Sequence, residues 1–248
     1  MRVAVLAPAR LNDFHHEVLR RLLESDRVEV VAACVDARPP ASRLTTLRRN
    51  LERGRGGYVL VLAARALARR GDPGPRSAAF FSERAVPVLD TPDLYTPETV
   101  AFLESAKPAC LLRLGFGIVR EPILSLAPGG TLSYHHGNPR RYRGQPAGFW
   151  EIYNGEPETG AIVQVLGDEI DAGAIVCERT FPVLPGESWA ELRRRTHDES
   201  ADMALEACLR LEDPAFEPIR LAPTELGPVY TTPNLRQWLR MQLRVIGP

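Results

Sequence analysis

Arg2-Val-Ala-Val-Leu6 is a short apolar run of strand-forming residues. It is followed by turn material at Ala7–Asn12 and then by apolar residues at helical spacing: Phe14, Val18, Leu19, Leu22 and Leu23. A second apolar run, Val28–Val35, comes next. Strand, helix and strand within about 35 residues make a βαβ unit, and strands that are apolar throughout belong to a parallel sheet covered on both faces. The pattern predicts an α/β fold: an open, mostly parallel, Rossmann-like sheet with helices on both faces.

Outward from this unit, Arg38–Pro75 carries Pro39-Pro40, many arginines and a helix-like run, Tyr58–Leu67, and reads as an insertion before the sheet resumes. Val86–Leu89 reads as a strand. Thr96-Pro97-Glu98 is a helix start, with an N-cap residue, a first-turn proline and an acid, and Lys107-Pro108 ends that helix. Ala109–Leu114 and Thr131–His135 are further strands. Ser188-Trp-Ala-Glu191 is a capping box, expected to open one long helix to about Leu211. From Glu212 the chain is rich in proline and short of periodicity, so the expected division is a catalytic domain over 1–211 and a short C-terminal extension over 212–248.

The 248 residues carry 31 Lys+Arg against 31 Asp+Glu, a net charge of zero, which argues against a protein built to grip a polyanion. No nucleic-acid partner is expected. No window reaches the roughly 18 to 20 apolar residues that span a bilayer, so no membrane is expected either. Cys34, Cys110, Cys177 and Cys208 are far apart and without a C-x-x-C pair, which fits a reduced, cytoplasmic setting. The first βα turn lacks G-x-G-x-x-G, so a nicotinamide dinucleotide has no fingerprint here.

Chemistry concentrates in two loops. Leu132-Ser-Tyr-His-His-Gly-Asn-Pro-Arg-Arg-Tyr-Arg-Gly144 places an apolar strand directly before two histidines and an Asn-Pro turn, at the carboxyl end of a strand where ligands collect in open α/β sheets. Gly167-Asp-Glu-Ile-Asp-Ala-Gly173 lies between the strand-like Ala161–Leu166 and Ala174–Val176, and taken alone its acids read as turn formers. His135 and His136, as neighbours on a strand, point to opposite faces, which argues against a shared metal ion; no metal site is expected. His15-His16 reads as a surface pair. Arg140, Arg141 and Arg143 read equally as an anion-binding cluster or as a solvated loop.

Four blocks, in order, resemble the N10-formyltetrahydrofolate-dependent formyltransferase family. Leu114-Gly-Phe116-Gly117-Ile118-Val119 resembles the loop that holds the pteridine ring. His135 stands nine residues before Gly144, which closes Tyr142-Arg143-Gly144. Asn154-Gly-Glu156-Pro-Glu-Thr-Gly160 and Asp168-Glu-Ile-Asp171-Ala-Gly173 complete the set. The resemblance implies the formyltransferase fold, with N10-formyltetrahydrofolate as formyl donor and a small-molecule amine as acceptor. Its runners-up are hydrolysis of the same donor and a folate-binding protein without turnover. It implies that His135 stabilises an oxyanion or moves a proton and that Asp171 orients it. Leu114, Phe116, Gly117, Ile118, Val119, Gly167, Asp168, Glu169 and Ile170 are implied to bind the folate, with Phe116, Ile118 and Val119 as apolar walls. Where the family has an asparagine two residues before the histidine, this chain has Ser133; the replacement donor is expected to be Asn138, ahead of His136.

Overall fold

The computed structural model describes residues 1–39 and 74–246, together with 42, 45, 48 and 52. Nearly all of the expected insertion, including the Tyr58–Leu67 run, lies outside the described residues.

Seven strands form one sheet. In chain order its first members are β1 (Arg2–Ala7), β2 (Glu29–Asp36), β3 (Val88–Thr91), β4 (Cys110–Arg113) and β5 (Thr131–His135); β7 (Glu158–Val165) and β8 (Ala174–Pro182) complete it. The spatial order is β3-β2-β1-β4-β5-β7-β8, parallel through β5 and antiparallel over the last two pairs. A two-residue strand, β6 (Arg143–Gly144), pairs separately with β9 (Val229–Tyr230).

Alternation along β1 explains why its apolar run is unbroken. Val3, Val5 and Ala7 enter one hydrophobic cluster, and Ala4 and Leu6 enter another on the opposite face. The first cluster is roofed by α1 (Asp13–Leu23), through Phe14, Val18, Leu19 and Leu22, and by α6 (Met203–Leu211). The second is covered by α3 (Pro97–Ser105) and the segment Phe116–Ala127. Helix starts follow their side-chain caps: Asn12 accepts from the His15 N–H at 2.8 Å, and Thr96 accepts from the Thr99 N–H at 3.2 Å. The short α2 (Ser77–Ser82) packs beside β2 and β3.

Three expectations change. The strand expected at Val86–Leu89 forms two residues later, because Val88–Thr91 is the stretch that pairs with Ala33–Asp36. The long helix from Ser188 is two helices, α5 (Trp189–Ser200) and α6. The Tyr134 hydroxyl sits in the break: it donates to the Ser200 carbonyl at 3.0 Å and accepts from the Ala204 N–H at 2.7 Å, taking the place of one i→i−4 bond. The C-terminal segment, expected to lack periodicity, ends in α7 (Leu235–Ile246). That helix packs on α4 (Phe149–Asn154), with Met241 fully buried beside Phe149, Trp150 and Trp189. All four cysteines are buried free thiols, and among the described residues no helix is long and apolar enough to cross a membrane.

Candidate active site

Ser133 and His135 share one face of β5; Leu132 and Tyr134 face the other way, into the α1 cluster. The chain then leaves the sheet through Gly137-Asn138, which crosses closely over β7. A Cβ on Gly160 would sit 3.2 Å from the Asn138 nitrogen. Asn138 organises the turn that follows. Its Oδ1 accepts from the Arg140 N–H at 3.0 Å, and its carbonyl accepts from the N–H groups of Arg141 and Tyr142. This turn aims the Tyr142 carbonyl back at His135, whose Nε2 donates to it at 3.0 Å. A Cβ on Gly137 would lie 2.7 Å from that nitrogen, so the ring and the carbonyl meet only over a glycine.

The other ring nitrogen, Nδ1, lies 3.2 Å from Asp171 Oδ2. The same oxygen accepts from the Gly144 N–H at 2.7 Å. The nine-residue step from His135 to Gly144 therefore has a physical reason: it returns a backbone donor to the carboxylate that faces the histidine. Gly144 has φ 85°, and a Cβ there would be 2.2 Å from the Tyr230 carbonyl oxygen. Asp171 is left-handed, with φ 50°, a conformation that aspartate tolerates better than most residues. The His135 side chain is 7% exposed and that of Asp171 20%, so the carboxylate is the open end of the pair.

The third block braces this arrangement. The Tyr142 hydroxyl donates to Glu156 at 2.7 Å and accepts from Asn154 Nδ2 at 2.8 Å, and burial with Glu156 alongside pushes the phenol up to about 12. Arg140, Arg141 and Arg143 pair with Glu178, Glu156 and Glu169 at 2.7, 2.7 and 3.6 Å, so each arginine of that cluster faces a carboxylate.

Two further expectations, on His136 and His15, are corrected, and the exposure of the expected apolar walls differs from one to the next. His136 points away from the site, its Nε2 3.0 Å from the Ser200 hydroxyl, packed against Phe14, Tyr134 and His197, and burial holds its pKa well below the ordinary range. It is no donor to the site. His15 is half-buried rather than on the surface; its Nδ1 is enclosed with no partner among the described residues, and burial lowers its pKa to about 4. Of the expected apolar walls, Phe116 and Val119 are buried in the second core cluster. Ile118, 67% exposed, is the one that stays open, and Ile170, at 49%, is its counterpart on the Gly167–Ile170 loop. Leu114 is half-buried against the first cluster, and Gly117, Gly167, Asp168 and Glu169 are exposed.

One site residue escaped the sequence reading. Arg113 ends β4 in register with Ser133, and its Nη1 donates to the Ser133 hydroxyl at 2.9 Å. Its Nε donates to the Gly117 carbonyl. Burial lowers its pKa, and the charge of Asp171 opposes that shift. The signal was present as a lone charge closing the apolar strand Cys110-Leu-Leu-Arg113.

The buried histidine, the more open aspartate and the glycine-closed loop stand together at the carboxyl edge of an open α/β sheet, where such folds place ligand sites. The chain belongs to the formyl transferase family, whose profile matches residues 61–208. It is 29% identical over 176 residues to the methionyl-tRNA formyltransferase of Geobacter sulfurreducens, covering 67% of this chain and 56% of that protein. The chain spans about half the length of the curated relatives it matches. Among solved structures, glycinamide ribonucleotide transformylase 1 of Symbiobacterium toebii superposes with a TM-score of 0.59 at 19% identity, over 90% of this chain and 94% of that one. The N-formyltransferase of Helicobacter canadensis, solved with folinic acid and dTDP-3-aminofucose, gives 0.60 at 12%, over 99% and 80%. These likenesses show the fold.

Proposed function

We propose that this chain moves a formyl group from N10-formyltetrahydrofolate to the amine of a small molecule. The donor is consumed as a substrate and supplies an activated formyl carbon. The observation that carries the reading is the His135–Asp171 pair at 3.2 Å, with the Gly144 N–H on the shared carboxylate oxygen.

Formyl transfer forms a bond from the amine nitrogen to the formyl carbon and breaks the bond to N10, while one proton passes from the attacking amine to the departing nitrogen. The pair suits that proton traffic. The Tyr142 carbonyl accepts from Nε2, which turns Nδ1 toward Asp171, whose other oxygen has no partner among the described residues. Asp171 takes the amine proton, directly or through a water, His135 holds the positive charge against it, and the proton returns to N10.

Support for the folate comes from the family and from the exposed Ile118 and Ile170, one on each of the two loops expected to sandwich the ring. A small acceptor is favoured by the zero net charge and by the pairing of Arg140, Arg141 and Arg143 with carboxylates, which leaves that loop no free basic patch for a polyanion. Calorimetry with a stable folate analogue tests the reading. Binding is expected, weakened about tenfold by Ile118→Asp, a change of about 1.4 kcal/mol. No binding at millimolar concentration removes the folate. A panel of amino sugars and amino acids, with methionyl-tRNA beside them, tests the acceptor class, and turnover of the tRNA alone overturns the small-molecule part.

A further inference from the structure

We propose that Arg113 is a catalytic residue, the donor that holds the negative oxygen formed when the formyl carbon is attacked. The inference rests on the formyl-transfer reading and deepens it. Attack turns the formyl C=O into a single-bonded oxygen carrying the electron pair released from the double bond, and collapse returns that pair as the bond to N10 breaks. A site that speeds this step needs a donor already aimed at the oxygen.

Three of the four groups that the sequence offers are engaged elsewhere, and the fourth is fixed in a turn. His135 has both ring nitrogens occupied, Nε2 by the Tyr142 carbonyl and Nδ1 by Asp171. His136 lies on the far side of the strand, against Ser200. The single hydroxyl proton of Ser133 goes to the Tyr134 carbonyl at 3.3 Å while its oxygen accepts from Arg113. Asn138 is held in its own turn by the bond to its Oδ1, and its Nδ2 has no partner among the described residues.

Arg113 differs from all four in pairing free N–H donors with a fixed positive charge. Of the five N–H groups of a guanidinium, one is used on Gly117 and one on Ser133, and the rest have no partner among the described residues. No described carboxylate lies within ion-pair distance of it, although it is a half-buried cation. The charge of Asp171 acts on it without forming an ion pair, and a cation taken partly out of water in this way gains from a negative group that arrives to meet it. Ser133, which it touches, is two residues from His135 on the same strand face, a separation of about 6.6 Å. That is one small functional group's distance from the proton-handling pair. Ser133 is on this account a positioning residue for Arg113.

The test follows loss of formyl from N10-formyltetrahydrofolate, with an amine or with water as acceptor, because both pass through the same oxygen anion. Arg113→Gln is expected to lower kcat by on the order of 10² to 10³. The affinity for a stable folate analogue should stay within about threefold, a shift under ~0.7 kcal/mol. Arg113→Lys, which keeps the charge and loses the fork, should fall between, and millimolar guanidinium should restore part of the rate of Arg113→Ala. An Arg113→Gln enzyme that keeps more than about a tenth of the rate overturns the assignment, a deficit below about 1.4 kcal/mol. So does a loss of analogue affinity as large as the loss of rate, which would make Arg113 a prop for the Gly117 loop. A large Asn138→Ala effect with a silent Arg113→Gln moves the role to Asn138. Wild type that neither transfers nor hydrolyses the formyl group overturns both this inference and the reading beneath it, whereas active wild type with an unimpaired Arg113→Gln overturns the inference alone.

Discussion

His135→Ala and Asp171→Ala are each expected to cut turnover by more than tenfold, about 1.4 kcal/mol or more of barrier, and the double variant to be hardly worse than either single. The two side chains share one contact at 3.2 Å, so losing either removes the same function. Additive losses in steady-state kinetics would contradict this. Gly144→Ala is expected to destabilise the fold by about 1–3 kcal/mol and to lower turnover with it, because its Cβ meets the Tyr230 carbonyl and its N–H can then no longer hold Asp171. Denaturant unfolding and rate together check this. His135, Asp171 and Gly144 were singled out by the resemblance of their blocks to the family, and the nine-residue step has its physical counterpart in the Gly144 N–H that meets the Asp171 carboxylate. Arg113 was not singled out. A charge at the end of an apolar strand looks the same in one dimension whether it meets water or a reaction centre, and only the register with Ser133 separates the two.

At the scale of elements, the break between α5 and α6 depends on Tyr134. Tyr134→Phe removes the hydroxyl that bridges Ser200 and Ala204 and is expected to cost about 1–3 kcal/mol in unfolding free energy. The apolar spacing of 189–211 runs through the break without a mark, which is why the sequence predicts one helix. The same layer, where α1, β5 and α5 meet, encloses His15, His136 and His197 around Phe14. Burial lowers His15 and His197 to about 4 from 6.5 and holds His136 well below 6.5. Between about 6.5 and 4 the unfolded chain binds protons that the folded chain refuses. Stability is therefore complete above 6.5 and is lost as pH falls through that window. Glu151, pushed up to about 7 by burial, acts in the opposite sense with one proton against as many as three. Denaturation midpoints are expected to drop from pH 7 to pH 5, by at most about 1.4 kcal/mol per pH unit for each net proton. His197→Gln should flatten the slope, and an unchanged slope would contradict an origin in these buried histidines.

Across the whole molecule, the C-terminal residues belong to the architecture that shapes the site. The Arg143 N–H donates to Pro228 at 3.2 Å, Arg143 Nε donates to Gly227 at 2.7 Å, and the Gln145 N–H donates to Tyr230 at 3.2 Å, so β9 holds the strand that ends in Gly144. Met241 closes the aromatic cluster beneath it. Met241→Ala is expected to cost about 2–5 kcal/mol, read from the thermal midpoint. The fold was legible where strands are buried on both faces, as in β1, β4 and β5, since continuous apolar runs have few other uses. The closing helix was hidden because prolines through 214–233 mask the short periodic stretch that follows.

The most direct measurement is transfer of isotopically labelled formyl from N10-formyltetrahydrofolate to a panel of small amines by wild type and by His135→Ala. Label in an N-formyl product with wild type, falling more than about tenfold in the variant, is the result expected. A wild type that binds the folate analogue yet formylates no amine, or a His135→Ala enzyme as fast as wild type, would contradict the account.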